Sequence, residues 1–189
     1  MNCLRVNPAI VLLALLLSAC SLNPIKTTEP LGHWSFSGKM AVRNATEASS
    51  FNVVWQQADD QYTIELSGPL GQGAVTVIGE PGSVELQRGD DRWSSYSLNA
   101  LVYEVTEMDL PLEHLKYWVR ALPDPTAPHE LQRNSTNLVS TIDQSGWHVE
   151  ISDYFITEQG NQPRKLAFSR AGNSGKLVIR QWTIASNDR

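Results

Sequence analysis

The sequence predicts a mainly β fold, a single antiparallel, incompletely closed β-barrel with short α-helices packed inside the barrel or across its mouth. Apolar and polar residues alternate in short stretches that recur at strand-and-turn spacing, both before and after a central segment. That central segment instead carries apolar residues at helical spacing. Such a stripe must be buried, and the nearest apolar surface is the concave face of the same sheet. The alternative places the helices outside, over a sheet edge.

The first half of the domain is predicted to form consecutive short strands. In the first of them Trp34, Phe36 and Met40 fall on one face, as period-two alternation requires. Turn-forming residues separate the later strands, as in Glu80-Pro81-Gly82. The predicted strands of this half are His33–Val42, Ser50–Gln57, Gln61–Ser67, Ala74–Gly79, Ser83–Arg88 and Trp93–Tyr96.

Two helices are predicted in the middle of the chain. The first begins at Leu98 and continues its apolar spacing to Met108. We expect Asp109 to cap the second, with Pro111 in its first turn. The apolar stripe of this second helix comprises Leu112, Leu115, Trp118, Val119 and Leu122.

Strands are expected to resume after Pro123-Asp124-Pro125, which ends the second helix. Each is bounded by Gly- and Asn-containing turns such as Gln144-Ser145-Gly146. The predicted strands of this half are Leu138–Asp143, Trp147–Ile156, Arg164–Arg170 and Lys176–Ile184.

The N-terminus predicts a targeting segment rather than a part of the fold. Its apolar run, residues 9–17, reaches only about 14 Å as a helix, half of a hydrocarbon core of roughly 30 Å. The run ends in Leu17-Ser18-Ala19-Cys20, which resembles the lipobox of bacterial lipoproteins, where the cysteine is acylated and becomes the first residue. We therefore expect a signal peptide over residues 1–19, an acylated Cys20 heading a tether over 20–32, and one domain over 33–189.

Composition excludes several function classes. The net charge is −5, from 15 Lys+Arg against 20 Asp+Glu, so the domain lacks a basic footprint for nucleic acid. Both cysteines, Cys3 and Cys20, precede the domain, which therefore has no disulfide framework and no cysteine zinc site. The four histidines show no metal-ligand spacing, and the chain has neither a G-x-S-x-G elbow nor a phosphate-binding glycine loop. We expect no catalytic residues, no metal and no cofactor.

One loop predicts a projecting apolar side chain. Leu70 lies between Pro69 and Gly71 in a segment, residues 68–73, that holds three glycines and no other large apolar residue. Such a turn offers little backbone under which to hide a leucine. The alternative is that Leu70 folds back onto the sheet.

At this loop the sequence resembles the LolB family of outer-membrane lipoproteins, and the similarity extends over the domain from Trp34 to Ile184. The matching segments are Phe51 with Trp55-Gln56-Gln57, Tyr62, the run from Leu66 to Gly73, the run from Trp118 to Pro125, and Gly146-Trp147 with Tyr154.

The resemblance implies a receptor in the outer membrane. Such a receptor accepts acylated lipoproteins from a LolA-like periplasmic carrier, faces the periplasm on its lipid anchor, and inserts its cargo into the membrane. Ser21 agrees with outer-membrane sorting in this class of lipoproteins. In the family a leucine on a projecting loop serves the insertion step, and the matching residue here is Leu70.

We expect the cargo's acyl chains to bind in an apolar hollow and the protein to act as a monomer. The side chains expected to line that hollow are Met40, Trp55, Leu66, Trp118 and Leu122. The alternative function is a structural or lipid-binding outer-membrane lipoprotein that does not transfer its ligand.

Overall fold

The computed structural model describes residues 32–71, 73–106, 108–157 and 160–184. The predicted signal peptide, the acylated Cys20 and nearly all of the tether lie outside these residues. Within them, eleven strands and two helices form one domain. The strands are β1 His33–Arg43, β2 Ala48–Ala58, β3 Gln61–Ser67, β4 Val75–Glu80, β5 Ser83–Arg88, β6 Asp91–Ser95, β7 His129–Arg133, β8 Val139–Gln144, β9 Trp147–Thr157, β10 Gly160–Arg170 and β11 Asn173–Ile184. The helices are α1 Leu98–Thr106 and α2 Leu112–Trp118.

All strands belong to one antiparallel sheet that is not closed. Its order is β6-β5-β4-β3-β2-β1-β11-β10-β9-β8-β7, so the chain's first and last long strands pair at the centre while β6 and β7 are the edges. Helix α1 follows the β6 edge, contacts β5 and β6, and packs on α2. The predicted fold class, an incompletely closed barrel with short helices, is therefore confirmed.

The core lies between the concave face of the sheet and the two helices. Along β1 alternate residues are buried, with Trp34, Phe36 and Met40 no more than 4% exposed. Leu101 of α1 and Leu115 of α2 are fully buried in the same hydrophobic core. The apolar stripes of the helices and the apolar faces of the strands thus cover one another, as the alternation in the sequence requires.

A β-bulge changes the direction of the side chains at the end of β11. Ser37 pairs with Gln181 but Gly38 pairs with Ile179, so one residue of β11 is unpaired and the side chains beyond it change faces. This brings the Trp182 ring to 5.3 Å from that of Phe36. A Cβ at Gly38 would lie 2.5 Å from the Val178 carbonyl oxygen, which is why glycine occupies this position.

The prediction for α2 was wrong at both ends. Pro111 occupies the N-cap and no side chain caps the helix, because the Asp109 carboxylate is bound to Arg170 instead. At the other end Ala121 adopts φ +56°, its N–H donates to the Trp118 carbonyl, and the Leu122 N–H donates to the Tyr117 carbonyl. This is a Schellman-type ending, which takes the chain off the helix before Leu122.

Strand β7 was not predicted. Its five residues, from His129 to Arg133, are all exposed, so no buried face imposes alternation on the sequence. Its pairing with β8 supplies its hydrogen bonds. None of the helices in the described part of the chain is long and apolar enough to cross a membrane.

Candidate functional site

A cavity of about 630 Å³ lies between the concave face of β1 to β5 and helix α1 with the segment that follows it. Its volume is within the range of roughly 300–1,000 Å³ typical of sites for small ligands. Its walls are largely apolar, since the inward positions of five neighbouring strands converge on it. The apolar lining residues are Met40, Val42, Phe51, Val53, Trp55, Ile64, Leu66, Val75, Val77, Leu86, Leu98, Val102, Met108, Leu110 and Leu112.

Charged groups lie only where the cavity meets solvent. Glu47, Arg88 and Glu104 line the cavity and are exposed, so they form part of its rim. The Arg88 guanidinium lies 5.4 Å from the centre of the Trp93 ring, which holds it near the sheet. The interior can therefore accept an apolar chain without stripping water from an ion.

The glycine-rich loop between β3 and β4 belongs to the same rim. Gly68 and Gly73, at its two ends, line the cavity. Between them Pro69–Gly71 forms one 3-10 turn, closed by the Gly71 N–H donating to the Gly68 carbonyl at 3.1 Å. Pro69 and Gly71 are exposed, whereas the side chain of Leu70 lies outside what the structure describes. The turn thus lies between two glycines of the cavity lining.

The structure separates the residues expected to line the hollow into two groups. Met40, Trp55 and Leu66 lie together on its wall, on β1, β2 and β3. Trp118 does not, because it is fully buried on the side of α2 that faces β8. Leu122 does not either, since it follows the Schellman ending and is 44% exposed. The predicted apolar stripe includes both residues, but the helix ends at Trp118, and the Trp118 ring is turned toward β8.

A buried polar network fixes α2 and the segment after it to β8. The Gln144 side-chain oxygen accepts hydrogen bonds from Trp118 Nε1 at 3.0 Å and from the Asp124 N–H at 2.9 Å. Its amide nitrogen donates to the carbonyls of Asp124 and Ala127. Gln144 is 2% exposed, and these bonds replace the water that the amide has lost. Sequence reasoning missed it, because a glutamine at a strand end carries no signal of burial.

Asp124 is a second anchor in this network. Its carboxylate accepts hydrogen bonds from the Thr126 N–H at 2.9 Å and the Thr126 hydroxyl at 2.7 Å, and lies 2.8 Å from His114 Nδ1. Burial by itself raises the pKa of Asp124, but the bonds from Thr126 and His114 outweigh it and hold the pKa below its usual value. The carboxylate is therefore an ionised structural group.

The helix side of the cavity was also missed by the sequence analysis. Val102 of α1, and Met108 and Leu110 beyond it, line the hollow opposite the strands. The signal that could have found Val102 is its place on the apolar stripe that begins at Leu98. Within the described ranges no three His, Cys, Asp or Glu side chains are grouped so that they could hold a metal ion.

Comparison with known proteins adds family relationships to this geometry. Residues 32–182 match the family model described as "Outer membrane lipoprotein LolB". The chain is 31% identical to the outer-membrane lipoprotein LolB of Chromohalobacter salexigens, over 97% of this chain and 92% of that protein. It is 33% identical to the LolB of Stutzerimonas stutzeri, over 90% and 91%.

Solved structures share the fold at low sequence identity. A LolA superfamily protein from Nitrosomonas europaea superposes with a TM-score of 0.55 at 6% identity, over 83% of this chain and 88% of that one. A putative outer membrane lipoprotein-sorting protein domain from Vibrio parahaemolyticus gives a TM-score of 0.52 at 9% identity, over 85% and 88%.

Proposed function

Because the chain belongs to the LolB family of outer-membrane lipoproteins, we propose that it is a receptor for acylated lipoproteins. It accepts them from a LolA-like periplasmic carrier and inserts them into the outer membrane. It works as a monomer, anchored through acylated Cys20 and facing the periplasm. No covalent chemistry and no nucleotide is needed for this task.

The apolar cavity is the observation that carries the proposal. An acyl chain leaving a bilayer exposes its methylenes to water at about 0.8 kcal/mol each, so a protein that carries it must replace the bilayer. The cavity of about 630 Å³ offers aliphatic and aromatic walls with charges confined to its rim. We propose that the acyl chains lie against Met40, Trp55 and Leu66.

Delivery requires the chains to leave the cavity for the membrane. The receptor must therefore hold them more tightly than the carrier does and less tightly than the bilayer. Gly68 and Gly73, at the two ends of the loop between β3 and β4, line the cavity. Contact between this loop and the leaflet would therefore bring the cavity close to the membrane. We propose that Leu70 enters the leaflet there and eases the exit of the chains.

The test separates loading from delivery. The full-length acylated protein is reconstituted in phospholipid vesicles and mixed with a carrier that holds a triacylated lipoprotein. For Leu70→Glu we expect normal removal of cargo from the carrier but a loss of insertion into the vesicles of about tenfold or more, because a carboxylate resists entry into lipid. Insertion is measured as cargo that resists extraction by carbonate.

The matched control is Leu131→Glu, which changes another exposed leucine on the distant edge strand β7. It should insert cargo normally. Normal insertion by Leu70→Glu would contradict the role of the loop. Uptake of an unacylated cargo as readily as the acylated one would contradict the receptor itself, and retention of acylated cargo without insertion by the unaltered protein would favour a lipid-binding lipoprotein that does not transfer.

A further inference from the structure

A second cleft lies behind the apolar cavity. It has a volume of about 430 Å³ and a separate set of rim residues around the β4–β5 turn and the start of α2. Trp55, Leu98 and Leu112 line both spaces, so these three side chains form the partition between them. The second cleft differs from the first in its chemistry, because tyrosines and carboxylates take the place of most of the aliphatic side chains.

Aromatic rings form much of the wall of this cleft. Tyr62 from β3, Tyr96 before α1 and Tyr117 from α2 all line it, together with Trp55 of the partition. A cation over the face of such a ring is attracted by the negative charge distribution of that face. The protein already shows this, because the Lys116 ammonium lies 5.2 Å from the centre of the Tyr117 ring.

Carboxylates outnumber cations in the cleft. Asp60, Glu80, Glu113 and Asp124 line it, against Lys116 alone among the basic lining residues. Two of these carboxylates have protein partners: Glu113 accepts a hydrogen bond from the Ser97 hydroxyl at 2.8 Å, and Asp124 is bound to Thr126 and to His114. Asp60 and Glu80 are exposed at the rim, where they can meet a ligand.

The tyrosine rings of the cleft are neutral. Tyr117 is only 9% exposed and lines the cleft. Burial, and secondarily the charges of Asp124 and Asp60, raise the pKa of Tyr117. Burial and the charge of Glu113 raise the pKa of Tyr62 to about 12. Both rings therefore remain neutral in a negative field.

We propose that this cleft binds the alkylammonium end of a lysine side chain presented by a protein partner. The methylene stem lies against the tyrosine rings, and the ammonium lies among the carboxylates of Asp60, Glu80 and Glu113. An anionic or purely apolar ligand would meet uncompensated negative charge there. The proposal does not rest on acyl-chain transfer, and its test does not measure transfer.

Ligand binding to the full-length protein in lipid nanodiscs tests the proposal. The probes are Nα-acetyl-lysine methylamide, its Nζ-acetylated form, which has no charge, and 1,5-diaminopentane as a free diamine. Saturation-transfer difference NMR should give a Kd of roughly 1–10 mM for the lysine amide, the affinity expected when a few weak contacts bind one side chain. The acetylated form should not bind.

Two substitutions locate the site without touching the core. Glu80→Gln and Tyr96→Leu change exposed rim residues. Each should raise the Kd of the lysine amide by about two- to fivefold. Their matched controls are Glu65→Gln, on the exposed face of β3, and Tyr103→Leu, on the exposed face of α1. The controls should leave Kd unchanged.

Each remaining outcome overturns the proposal. Equal binding of the charged and acetylated amides would show that charge is not recognised. Binding of the diamine alone would assign the cleft to a free amine rather than to a protein side chain. Absence of any signal for the lysine amide, or equal losses in the rim and control variants, would show that the cleft is not a site for ammonium groups.

Discussion

At the scale of single residues, glycines make room for aromatic rings on the concave face. Gly79 is paired with Tyr62 and Gly175 with Phe168, on neighbouring strands. A Cβ at either glycine would lie about 2 Å from the partner ring, at 2.0 Å for Tyr62 and 2.1 Å for Phe168. The rings therefore lie over glycine backbone, which shields that backbone from water and lets the sheet curve. The alternation of apolar and polar residues does not predict such a pair, because alternation describes one strand and the pair joins two strands.

The lowered pKa of Asp124 predicts how the free energy of unfolding depends on pH. A carboxyl whose pKa is depressed by folding adds stability above its unfolded-state pKa, near 3.9, and that stability is lost as the pH falls through the folded pKa. We expect the unaltered protein to lose more of its free energy of unfolding between pH 7 and about pH 3 than Asp124→Asn does. At pH 7 the Asp124→Asn variant should have a lower free energy of unfolding than the unaltered protein. This difference in free energy should become smaller as the pH falls.

Urea unfolding at a series of pH values measures this. Asp90→Asn, in the exposed turn between β5 and β6, is the control and should follow the unaltered protein. A constant difference in free energy between the unaltered protein and Asp124→Asn at all pH values would contradict the role given to ionised Asp124.

At the scale of elements, a side-chain contact ties the two helices to the far side of the sheet. The Arg170 guanidinium, on β10, is bound to the carboxylate of Asp109 in the segment between α1 and α2. It also donates to the Ser145 carbonyl at 3.2 Å and stacks on Trp147, 4.6 Å from the ring centre. The tie positions Met108 and Leu110, which flank Asp109 and line the cavity.

We predict that Arg170→Met loosens this segment while the sheet remains folded. The methionine keeps the apolar stem but loses the ion pair, which for a partly exposed pair contributes about 0.2–1 kcal/mol. Amide hydrogen exchange over residues 108–112 should therefore accelerate several-fold. Exchange in the central strands β1 and β11 should not change.

Arg92→Met is the control for this experiment, because it breaks an exposed ion pair with Glu85 at 2.8 Å on the edge of the sheet. It should leave exchange over residues 108–112 unaltered. Equal acceleration in both variants would mean that loss of any ion pair has this effect.

At the scale of the whole molecule, the hollow exists because the sheet does not close on itself. If the sheet closed into a small barrel, its inward side chains would touch one another and fill the interior. Here helices α1 and α2 follow the open edge at β6, and the space between α1 and the strands stays unfilled. Directed transfer of apolar chains needs such a space together with an opening.

Filling the cavity tests the proposed site for acyl chains. Val75 lies half-buried on the cavity wall, and Val75→Trp would displace at least two methylenes of ligand at about 0.8 kcal/mol each. We expect the Kd for a fluorescent fatty acid to rise by about tenfold. Val178→Trp, on the exposed face of β11, is the matched control and should not change Kd. Unchanged binding in Val75→Trp would place the acyl chains elsewhere.

Much of the fold could be predicted because burial imposes a period on each element. The strands β3 and β5 were predicted with their observed ends, and the inward face of β1 was predicted correctly. Edge strand β7 was missed, since an exposed strand has no such period. The end of α2 was misplaced because Ala121 adopts a left-handed conformation that its residue type does not favour.

The candidate site was predictable only in part. Met40, Trp55 and Leu66 were predicted to line the hollow because they lie on the inward faces of strands. In a strand, successive side chains point to opposite faces, so the position of a residue along the strand gives the direction of its side chain. Trp118 was assigned from a helical stripe, which identifies burial but not the partner surface, and its ring bonds to Gln144 on β8 instead. The projection of Leu70 and the anchor at Cys20 remain predictions.

The sequence by itself determined the class of fold, the inward faces of the strands and the family to which the chain belongs, because these depend on local periodicity and on residue order. Only the tertiary structure decided where the hollow lies, which side of α2 faces it, and that Trp55, Leu98 and Leu112 separate it from an acidic, tyrosine-lined cleft. Those properties depend on contacts between residues distant in the chain. A local pattern reports that a residue is buried but not which residues it meets.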